Sequence, residues 1–339
     1  MKYSGGSPLP LRFSVLFTGI FIVAIASGPF AAEKEYLGTP ASEKAAAKAL
    51  EYLAGLQAAD GSFGKVPLGK NAAIVGFAGL AFMAGGNTPD KGKYGDNISR
   101  IADYIKSCQT DKGVISASGQ AMYEHGFSTL ALCELYGMTK REDLRDAIRK
   151  SVDLIVSCQN DRGGWRYQPK IADDDASVTS CQVQALRAAR DVGFIVPQDT
   201  IQKALQYLKS CNNPDGGFSY VPHSGGSNTE RTGACVLSMM ALGDYTSPEV
   251  DRGCEYLLKT RPNEQSAHFI YGLYYCTQVM FQKGGDYWKS WYPEVRDLLV
   301  ASQNFDGSWS SKNYGTVYAT AVAAMVLQLP AAYLPLFER

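Results

Sequence analysis

Residues 159–165 read Gln-Asn-Asp-Arg-Gly-Gly-Trp, and similar segments recur along the chain. Each copy places a glycine four residues after a glutamine or asparagine, with an aspartate between the two. In four of the five copies a phenylalanine or tryptophan follows two residues after that glycine. The five copies begin at Gln57, Gln109, Gln159, Asn212 and Gln303.

The spacing of these segments indicates a repeat protein. Their aspartates are separated by 51, 50, 54 and 91 residues along the chain. A fixed period in this range is the sequence signature of stacked structural units. Because the last gap is nearly two periods, a degenerate copy is expected near Arg261-Pro262-Asn263. The sequence therefore predicts six units of about 50 residues each.

Each unit contains two helix-patterned segments, one on either side of its Asp/Gly turn. The first segment carries charged residues on one face, whereas the second is rich in alanine and glycine and nearly free of charge. Apolar alternation typical of strands is scarce, so the domain is expected to be all-α. The first segments lie near 43–57, 96–108, 142–158, 198–211, 249–260 and 290–302. The second segments lie near 72–84, 123–136, 175–192, 231–242, 267–282 and 314–328.

The contrast between the two helices of a unit predicts a closed double ring. A helix without a polar face has to be covered on most sides, so the second helices are expected inside and the charged ones outside. Closure also removes the exposed ends that an open array has to cap. Since every unit runs from outer helix through turn to inner helix, the six inner helices are expected to be parallel. Their N-termini should then surround one opening.

The repeated Gln-x-x-x-Gly-x-Trp/Phe element resembles the repeat of the terpenoid cyclase and protein prenyltransferase family, also called the prenyltransferase/squalene oxidase repeat. The resemblance covers the chain after its N-terminal segment and implies an (α/α)6 toroid. In that family the aromatic residue packs at the turn and the glutamine ties neighbouring repeats. This implies structural roles for Gln159, Trp165, Gln303 and Trp309. The pattern is also similar to exported single-toroid proteins of bacteria.

Polar residues at the first turns of parallel inner helices should converge on one opening, where the positive ends of the helix dipoles also lie. Carboxylates and imidazoles gathered there suit general acid–base catalysis or metal binding. The alternative is that the aspartates cap helices, the histidines bond neighbouring turns, and Glu230 pairs with Arg231 at the rim. The candidate catalytic residues are His125, Asp174, Asp175, Glu230 and His268, and the candidate ligand-binding residues are Tyr123, Arg231, Tyr271 and Tyr314.

A partial resemblance to class II terpenoid cyclases lies at residues 172–177. Those enzymes protonate an alkene with an Asp-x-Asp-Asp-Thr-Ala motif, and this chain reads Ala-Asp-Asp-Asp-Ala-Ser there. The first aspartate and the threonine are missing, and the resemblance implies that Asp174 is the proton donor. Protein prenyltransferases hold zinc through an Asp-x-Cys pair, which this sequence lacks. Prenyltransferase activity, a bound metal and a cofactor are therefore not expected.

The N-terminal segment is typical of a secretory signal peptide. Lys2 and Arg12 precede an uncharged run from Phe13 to Ser27, which is shorter than the roughly 20 residues of a membrane-spanning helix. Residues 1–32 are therefore expected to be a signal peptide before a single toroid domain at 33–339. The alternative is a retained membrane anchor.

The eight cysteines allow two interpretations. An even number in an exported protein suggests disulfides. However, Cys108, Cys158 and Cys211 occupy the same phase of the repeat, as a small buried apolar residue would. The periodic placement favours structural thiols.

The balanced net charge and the repeat motif limit the classes of molecule that the protein is expected to bind. With 33 basic and 33 acidic residues, the chain has no electrostatic reason to bind nucleic acid, and no stable membrane span is expected after signal cleavage. An intact repeat without the family's catalytic groups favours a toroid that binds a small hydrophobic ligand or an extracellular polymer. Inner-helix aromatics such as Phe77, Phe127 and Tyr318 suit either a cavity wall or core packing. The alternative function is an enzyme at the mouth, with cyclase-like acid catalysis or acid–base cleavage of a polysaccharide.

Overall fold

A computed structural model describes residues 35–64, 66–119 and 121–338, and the predicted signal peptide lies outside them. The described residues form twelve α-helices and no β-strand, and none of these helices is long and apolar enough to cross a membrane. The odd-numbered helices are α1 Pro40–Leu56, α3 Gly95–Ser107, α5 Arg145–Ser157, α7 Gln198–Ser210, α9 Pro248–Thr260 and α11 Gly285–Ser302. The even-numbered helices are α2 Ala72–Ala84, α4 Ala121–Thr139, α6 Ala176–Asp191, α8 Thr229–Ala241, α10 Phe269–Lys283 and α12 Gly315–Gln328.

The two helices of each pair differ in burial as predicted. In α3, Ile98, Ile101 and Ile105 are buried, and charged residues cover the opposite face. In α2 all thirteen residues are buried. Each even-numbered helix packs against the next, and α12 packs against α2. The inner ring is therefore closed, and the all-α toroid of six helix pairs is confirmed.

The repeat glycine is required by the geometry of the turn, as the third unit shows. Gly163 has φ of +93°, a conformation that residues with a side chain rarely adopt. A Cβ atom built on it would lie 2.2 Å from the carbonyl oxygen of Lys203 in α7. Gln159 Nε2 donates to the carbonyl oxygens of Gly163 and Thr200, both at 3.0 Å. The turn of one unit is thereby fastened to the outer helix of the next.

The same contacts close the ring between the last unit and the first. Gln303 Nε2 donates to the carbonyl oxygen of Ala45 in α1 at 2.8 Å. A Cβ atom on Gly307 would lie 2.7 Å from the carbonyl oxygen of Lys48, also in α1. Trp309 is buried beside this turn and donates its indole N–H to the carbonyl oxygen of Leu299 at 3.1 Å. The last turn is therefore fastened to α1 in the same way as Gly163 is fastened to α7.

Residues 334–338 cross the far end of the ring, where the inner helices finish. The buried Leu336 donates its N–H to Glu134 Oε2 of α4 at 2.9 Å. Arg187 Nη2 of α6 donates to the carbonyl oxygen of Glu338 at 2.6 Å. Buried polar side chains of two inner helices thus hold the backbone that covers this end.

Two buried groups make the stability depend on pH in opposite directions. Burial is the largest effect on Glu134 and raises its pKa to about 7. The hydrogen bond from the Leu336 N–H and the charge of Arg187 lower this pKa, and the charges of Asp191 and Glu338 raise it. Because this pKa is above the ordinary value of 4.5, the contribution of Glu134 to stability is lost as pH rises from about 4.5 through 7. Burial lowers the pKa of His125 to about 4, so its contribution is lost as pH falls below about 6.5.

We expect Glu134→Gln to remove the first of these dependences. The shift in the pKa of Glu134 corresponds to about 3 kcal/mol. Between pH 5 and pH 8 the free energy of unfolding of the glutamine variant should therefore rise by about that amount relative to the wild type. Urea unfolding of both proteins at the two pH values gives this difference. The pH-dependent contribution of His125 cancels, because both proteins contain it. A difference that stays constant with pH would contradict the assignment.

The cysteines form no disulfide in the structure. All eight are free thiols, and seven of them are buried. Burial raises the pKa of Cys133, Cys181 and Cys235 well above the usual range. These thiols therefore serve as small apolar residues of the core, as their periodic placement predicted.

Candidate functional site

The first turns of the six inner helices enclose one cavity of about 710 Å³. Every inner helix contributes to its wall, so the N-termini lie around a common opening as predicted. Those contributions include Phe77 of α2, Tyr123 of α4, Ser177 of α6, Glu230 of α8, Tyr271 of α10 and Tyr318 of α12.

The inner part of the cavity is built from aromatic rings. The ring of Phe77 lies 4.7 Å from that of Phe127, centroid to centroid. The rings of Tyr274 and Tyr318 meet Phe77 edge-on at 5.1 and 5.0 Å, an arrangement that aromatic pairs prefer. Burial raises the pKa of Tyr318 well above its usual range, so its phenol stays neutral. The floor of the cavity is therefore aromatic and uncharged.

Hydrogen-bonding groups lie at the mouth. Glu230 is 5% exposed and lines the cavity, and its Oε1 accepts a hydrogen bond from Ser266 Oγ at 2.5 Å. Ser266 Oγ in turn accepts the backbone N–H of His268 at 3.2 Å. His268 Nδ1 and Tyr314 Oη are hydrogen-bonded at 2.6 Å. Glu230 and the backbone N–H of His268 thus share Ser266 Oγ as a partner, while the His268 ring bonds Tyr314.

Tyrosine rings and guanidinium groups alternate along another part of the mouth. The hydroxyl groups of Tyr167 and Tyr220 are hydrogen-bonded to each other. Arg166 lies over both rings, 5.2 Å and 5.6 Å from their centroids. Arg231 lies over the Tyr220 ring at 5.7 Å. These cation–π contacts fix the two tyrosines in place.

Arg231 is held by backbone carbonyl groups. Its Nε donates to the carbonyl oxygen of Phe218 and its Nη2 to that of Gly226, both at 3.0 Å. Within the described residues no ion pair joins Arg231 to Glu230, whose carboxylate is bonded to Ser266. The rim ion pair considered from the sequence is therefore absent there.

Asp174 does not line the cavity. Its side chain is fully buried, and its Oδ2 accepts a hydrogen bond from Asn160 at 2.6 Å and pairs with Arg162 at 2.7 Å. The structure therefore corrects the expectation that Asp174 faces the opening. The physical reason is that Asp174 Oδ2 binds Asn160 and Arg162 within the turn of the third unit.

Asp175 lies just behind the wall as the N-cap of α6. Its Oδ1 accepts the backbone N–H groups of Ser177 at 2.9 Å and Val178 at 2.8 Å, the capping role that the alternative interpretation gave it. Its Oδ2 lies 3.6 Å from Nε of Arg166. Burial raises the pKa of Asp175. Asp175 thus positions both the helix start and the guanidinium group at the mouth, without lining the cavity itself.

His125 is part of the core. Its Nδ1 accepts the backbone N–H of Ile115 and its Nε2 contacts the carbonyl oxygen of Ser151, both at 3.1 Å. Both ring nitrogens are therefore engaged with backbone groups. This corrects the expectation that His125 faces the opening beside His268. Six of the nine candidate residues do line the cavity, namely Tyr123, Glu230, Arg231, His268, Tyr271 and Tyr314.

Tyr167 and Tyr220 line the cavity but were not singled out from the sequence. Each follows the repeat aromatic residue by two positions, in Trp-Arg-Tyr and Phe-Ser-Tyr, and this shared offset is a signal that could have found them. The carbonyl oxygen of Tyr167 accepts the N–H of Met122, and that of Tyr220 accepts the N–H of Ala176. These bonds at the starts of inner helices place both tyrosines at the mouth.

A family match covers the middle of the chain. Residues 86–269 match the prenyltransferase alpha-alpha toroid domain. The chain belongs to this family. Membership agrees with the fold, with the repeat and with the resemblance stated from the sequence.

Two curated relatives of this toroid protein are synthases. It is 30% identical over 109 residues to drimenyl diphosphate synthase of Streptantibioticus cattleyicolor. The aligned residues make up 32% of this chain and 20% of that enzyme. It is 19% identical to lanosterol synthase of Pneumocystis carinii, with 66% of this chain and 38% of that enzyme covered. The chain therefore spans less than half the length of either relative.

Solved structures with this toroid include both a glycosidase and a terpene cyclase. An inactive variant of an α-1,6-mannanase of Salegentibacter sp., in complex with α-1,6-mannotriose, has a TM-score of 0.66 at 11% identity and covers 86% of this chain and 99% of its own. A variant of a type II terpene cyclase from Scytonema, in complex with geranylgeranyl dihydroxybenzoate, has a TM-score of 0.56 at 11% identity and covers 87% and 98%. At these identities the likeness shows the fold alone.

Proposed function

We propose that this toroid protein binds an apolar molecule with a polar end in its central cavity. The observation that carries the proposal is that the lining changes from aromatic rings at the floor of the cavity to hydrogen-bonding side chains at its mouth. Eight of the eighteen lining residues are aromatic, and the rings of Phe77, Phe127 and Tyr318 form an uncharged floor. Hydrogen-bonding side chains such as Glu230 and His268 lie at the mouth. An apolar body seated on the floor would leave its polar end among them.

The size of the cavity supports the same proposal. A volume of about 710 Å³ falls within the range of roughly 300–1,000 Å³ that small-molecule sites occupy. A long polymer requires an open cleft, whereas this cavity is closed below by aromatic rings. We therefore propose a small amphiphile as the ligand. The proposal includes export, which rests on the apolar segment Phe13–Ser27.

Farnesol, an isoprenoid alcohol, is a suitable probe, with isothermal titration calorimetry as the measurement. Ala73→Phe and Ser177→Phe place a ring in the cavity from two different helices, since both residues line it. Each variant should weaken farnesol binding at least about tenfold, which is 1.4 kcal/mol. Ser157→Phe is the matched control, because Ser157 is exposed at the end of α5.

The two blocking variants keep the experiment decisive if one of them fails to fold, which circular dichroism would reveal. The proposal is wrong if farnesol does not bind the wild type. It is equally wrong if the folded blocking variants bind farnesol as tightly as Ser157→Phe does.

Acid–base catalysis at the mouth is the second candidate function. The observation that favours it is that Glu230 and His268 both line the cavity, with Glu230 held by Ser266 and the His268 ring held by Tyr314. A carboxylate and an imidazole on the wall of one cavity are the usual partners of proton transfer. The fold also occurs in a mannanase and in a type II terpene cyclase. Under this candidate Glu230 and His268, and not Asp174, would exchange protons with the substrate.

The second candidate is tested by incubating the protein with α-1,6-mannotriose and, separately, with geranylgeranyl dihydroxybenzoate. Mass spectrometry of the mixtures would detect a hydrolysed or an isomeric product. Glu230→Gln and His268→Asn should each lower turnover by about 10²-fold or more, the usual size of an acid–base contribution. Absence of product from both compounds, or turnover unchanged by both substitutions, would argue for binding alone.

A further inference from the structure

A smaller side pocket of about 250 Å³ lies beside the main cavity. Gly119, Tyr123, Tyr167 and Gln168 line it, and the two tyrosines also line the main cavity. The centroids of those two rings are 6.2 Å apart. A molecule seated in the main cavity would therefore reach the side pocket along the rings that both spaces share.

Tyr167 is exposed and yet firmly held. Tyr167 is 43% exposed. Its carbonyl oxygen accepts the backbone N–H of Met122 at 3.1 Å. Its hydroxyl is bonded to that of Tyr220, and the Arg166 guanidinium covers one face of the ring. A ring restrained in this way loses little conformational freedom when a ligand stacks on it. Tyr167 is therefore a preorganised platform between the two spaces.

The lining of the side pocket suits a neutral ring that carries hydroxyl groups. None of the four described lining residues is charged, and the neighbouring Arg166 guanidinium is already stacked on the Tyr167 ring. The tyrosine rings can pack against the C–H face of such a ring, and the Gln168 amide can both donate and accept hydrogen bonds. Apart from its own chain neighbours, no described residue lies within 4 Å of a Cβ atom built on Gly119.

The volume of the side pocket fits a single ring. It lies just below the roughly 300–1,000 Å³ of sites that hold a whole small molecule, whereas the main cavity is nearly three times as large. A second apolar chain would gain little here, because the polar and exposed Gln168 borders the pocket. The main cavity therefore suits the apolar chain of a ligand, and the side pocket suits a single ring.

We propose that the side pocket binds a hydroxylated ring such as a hexose, joined to the apolar molecule in the main cavity. This inference rests on the proposed function, since it names the polar end of the same ligand. The ligand is then a glycosylated amphiphile, with its chain on the Phe77 floor and its ring against Tyr167.

The inference is tested with 1-decanol and decyl β-D-glucopyranoside, which share one chain and differ by the sugar. Calorimetric titrations below the micelle-forming concentration should show the glucoside binding at least about tenfold more tightly. Gln168→Trp fills the side pocket without lining the main cavity. It should abolish the advantage of the glucoside and leave decanol affinity unchanged. Gln202→Trp, on the exposed surface of α7, is the matched control.

The outcomes separate this inference from the proposed function. If decanol binds and the glucoside binds no more tightly, the side-pocket assignment is overturned while the main cavity remains a binding site. The assignment is also overturned if the glucoside keeps its advantage in Gln168→Trp. If neither compound binds the wild type, the binding function itself fails and the side-pocket assignment fails with it.

Discussion

Trp165→Ala should lower the free energy of unfolding by about 3–5 kcal/mol, the usual cost of removing a large buried side chain. The indole is 1% exposed, and its N–H donates to the carbonyl oxygen of Ile155 in α5 at 2.7 Å. The backbone N–H of Trp165 donates to Thr179 Oγ1 in α6 at 3.1 Å. Truncation therefore leaves a cavity and removes the indole hydrogen bond where the outer and inner helices of one unit meet.

Urea unfolding followed by circular dichroism measures this change. Phe305→Ala is the matched control, because Phe305 also lies in a repeat turn but is fully exposed. The control should stay within about 0.5 kcal/mol of the wild type. If Trp165→Ala were as stable as Phe305→Ala, the repeat aromatic residue would not anchor the helix pair.

Glu124→Gln should cost a comparable amount, about 3–5 kcal/mol, as expected when one partner of a buried charged network is changed. Glu124 is fully buried in α4. Its carboxylate oxygens accept the backbone N–H groups of Ala72 at 3.1 Å, Ala117 at 2.8 Å and Ser118 at 3.0 Å. A glutamine at this position replaces one acceptor oxygen by an NH₂ group, which would face these donors.

The same substitution should loosen the mouth of the cavity. Ala72 begins α2, and the neighbouring Asn71 lines the cavity and donates to Ser118 Oγ at 3.0 Å. Farnesol affinity should therefore fall together with stability. Glu142→Gln is the control, since the side chain of Glu142, at the start of the next unit, is 66% exposed. A Glu124→Gln protein as stable as this control would show that the buried carboxylate does not hold the loop.

The fold was predictable because each unit repeats one physical pattern. In each unit a helix with one charged face, a turn that needs glycine and an uncharged helix follow one another. This order specifies two layers of helices and makes the inner helices parallel. The predicted inner helix at 72–84 has the same bounds in the structure. The clearest error is α11, which begins at Gly285 and not near 290. Pro293 lies inside this helix, and an internal proline obscures the helical pattern from which a start is inferred.

The candidate site was less predictable because nearby residues at a helix start face different directions. α4 begins at Ala121 and not near residue 123, so His125 follows the first turn. Side chains two residues apart on a helix point about 200° apart at 3.6 residues per turn. Tyr123 therefore lines the cavity, whereas His125 contacts the carbonyl oxygen of Ser151 in the core. His268, which precedes α10, lies at the mouth.

The connecting segments were the second source of error. No periodicity sets the path of a loop, so the ion pair of Arg162 with Asp174 could not be anticipated. Tyr167 and Tyr220 also lie in such segments, and only their shared offset from the repeat aromatic residue marks them as part of the wall.

The central claim is that the apolar interior at the inner-helix N-termini receives a ligand. Photo-crosslinking with a diazirine-bearing analogue of farnesol, followed by peptide mass spectrometry, tests it most directly. Label is expected on the peptides that contain Phe127, Tyr271 and Tyr318, and an excess of farnesol should prevent it. Label confined to outer helices, or label that farnesol does not displace, would contradict the claim.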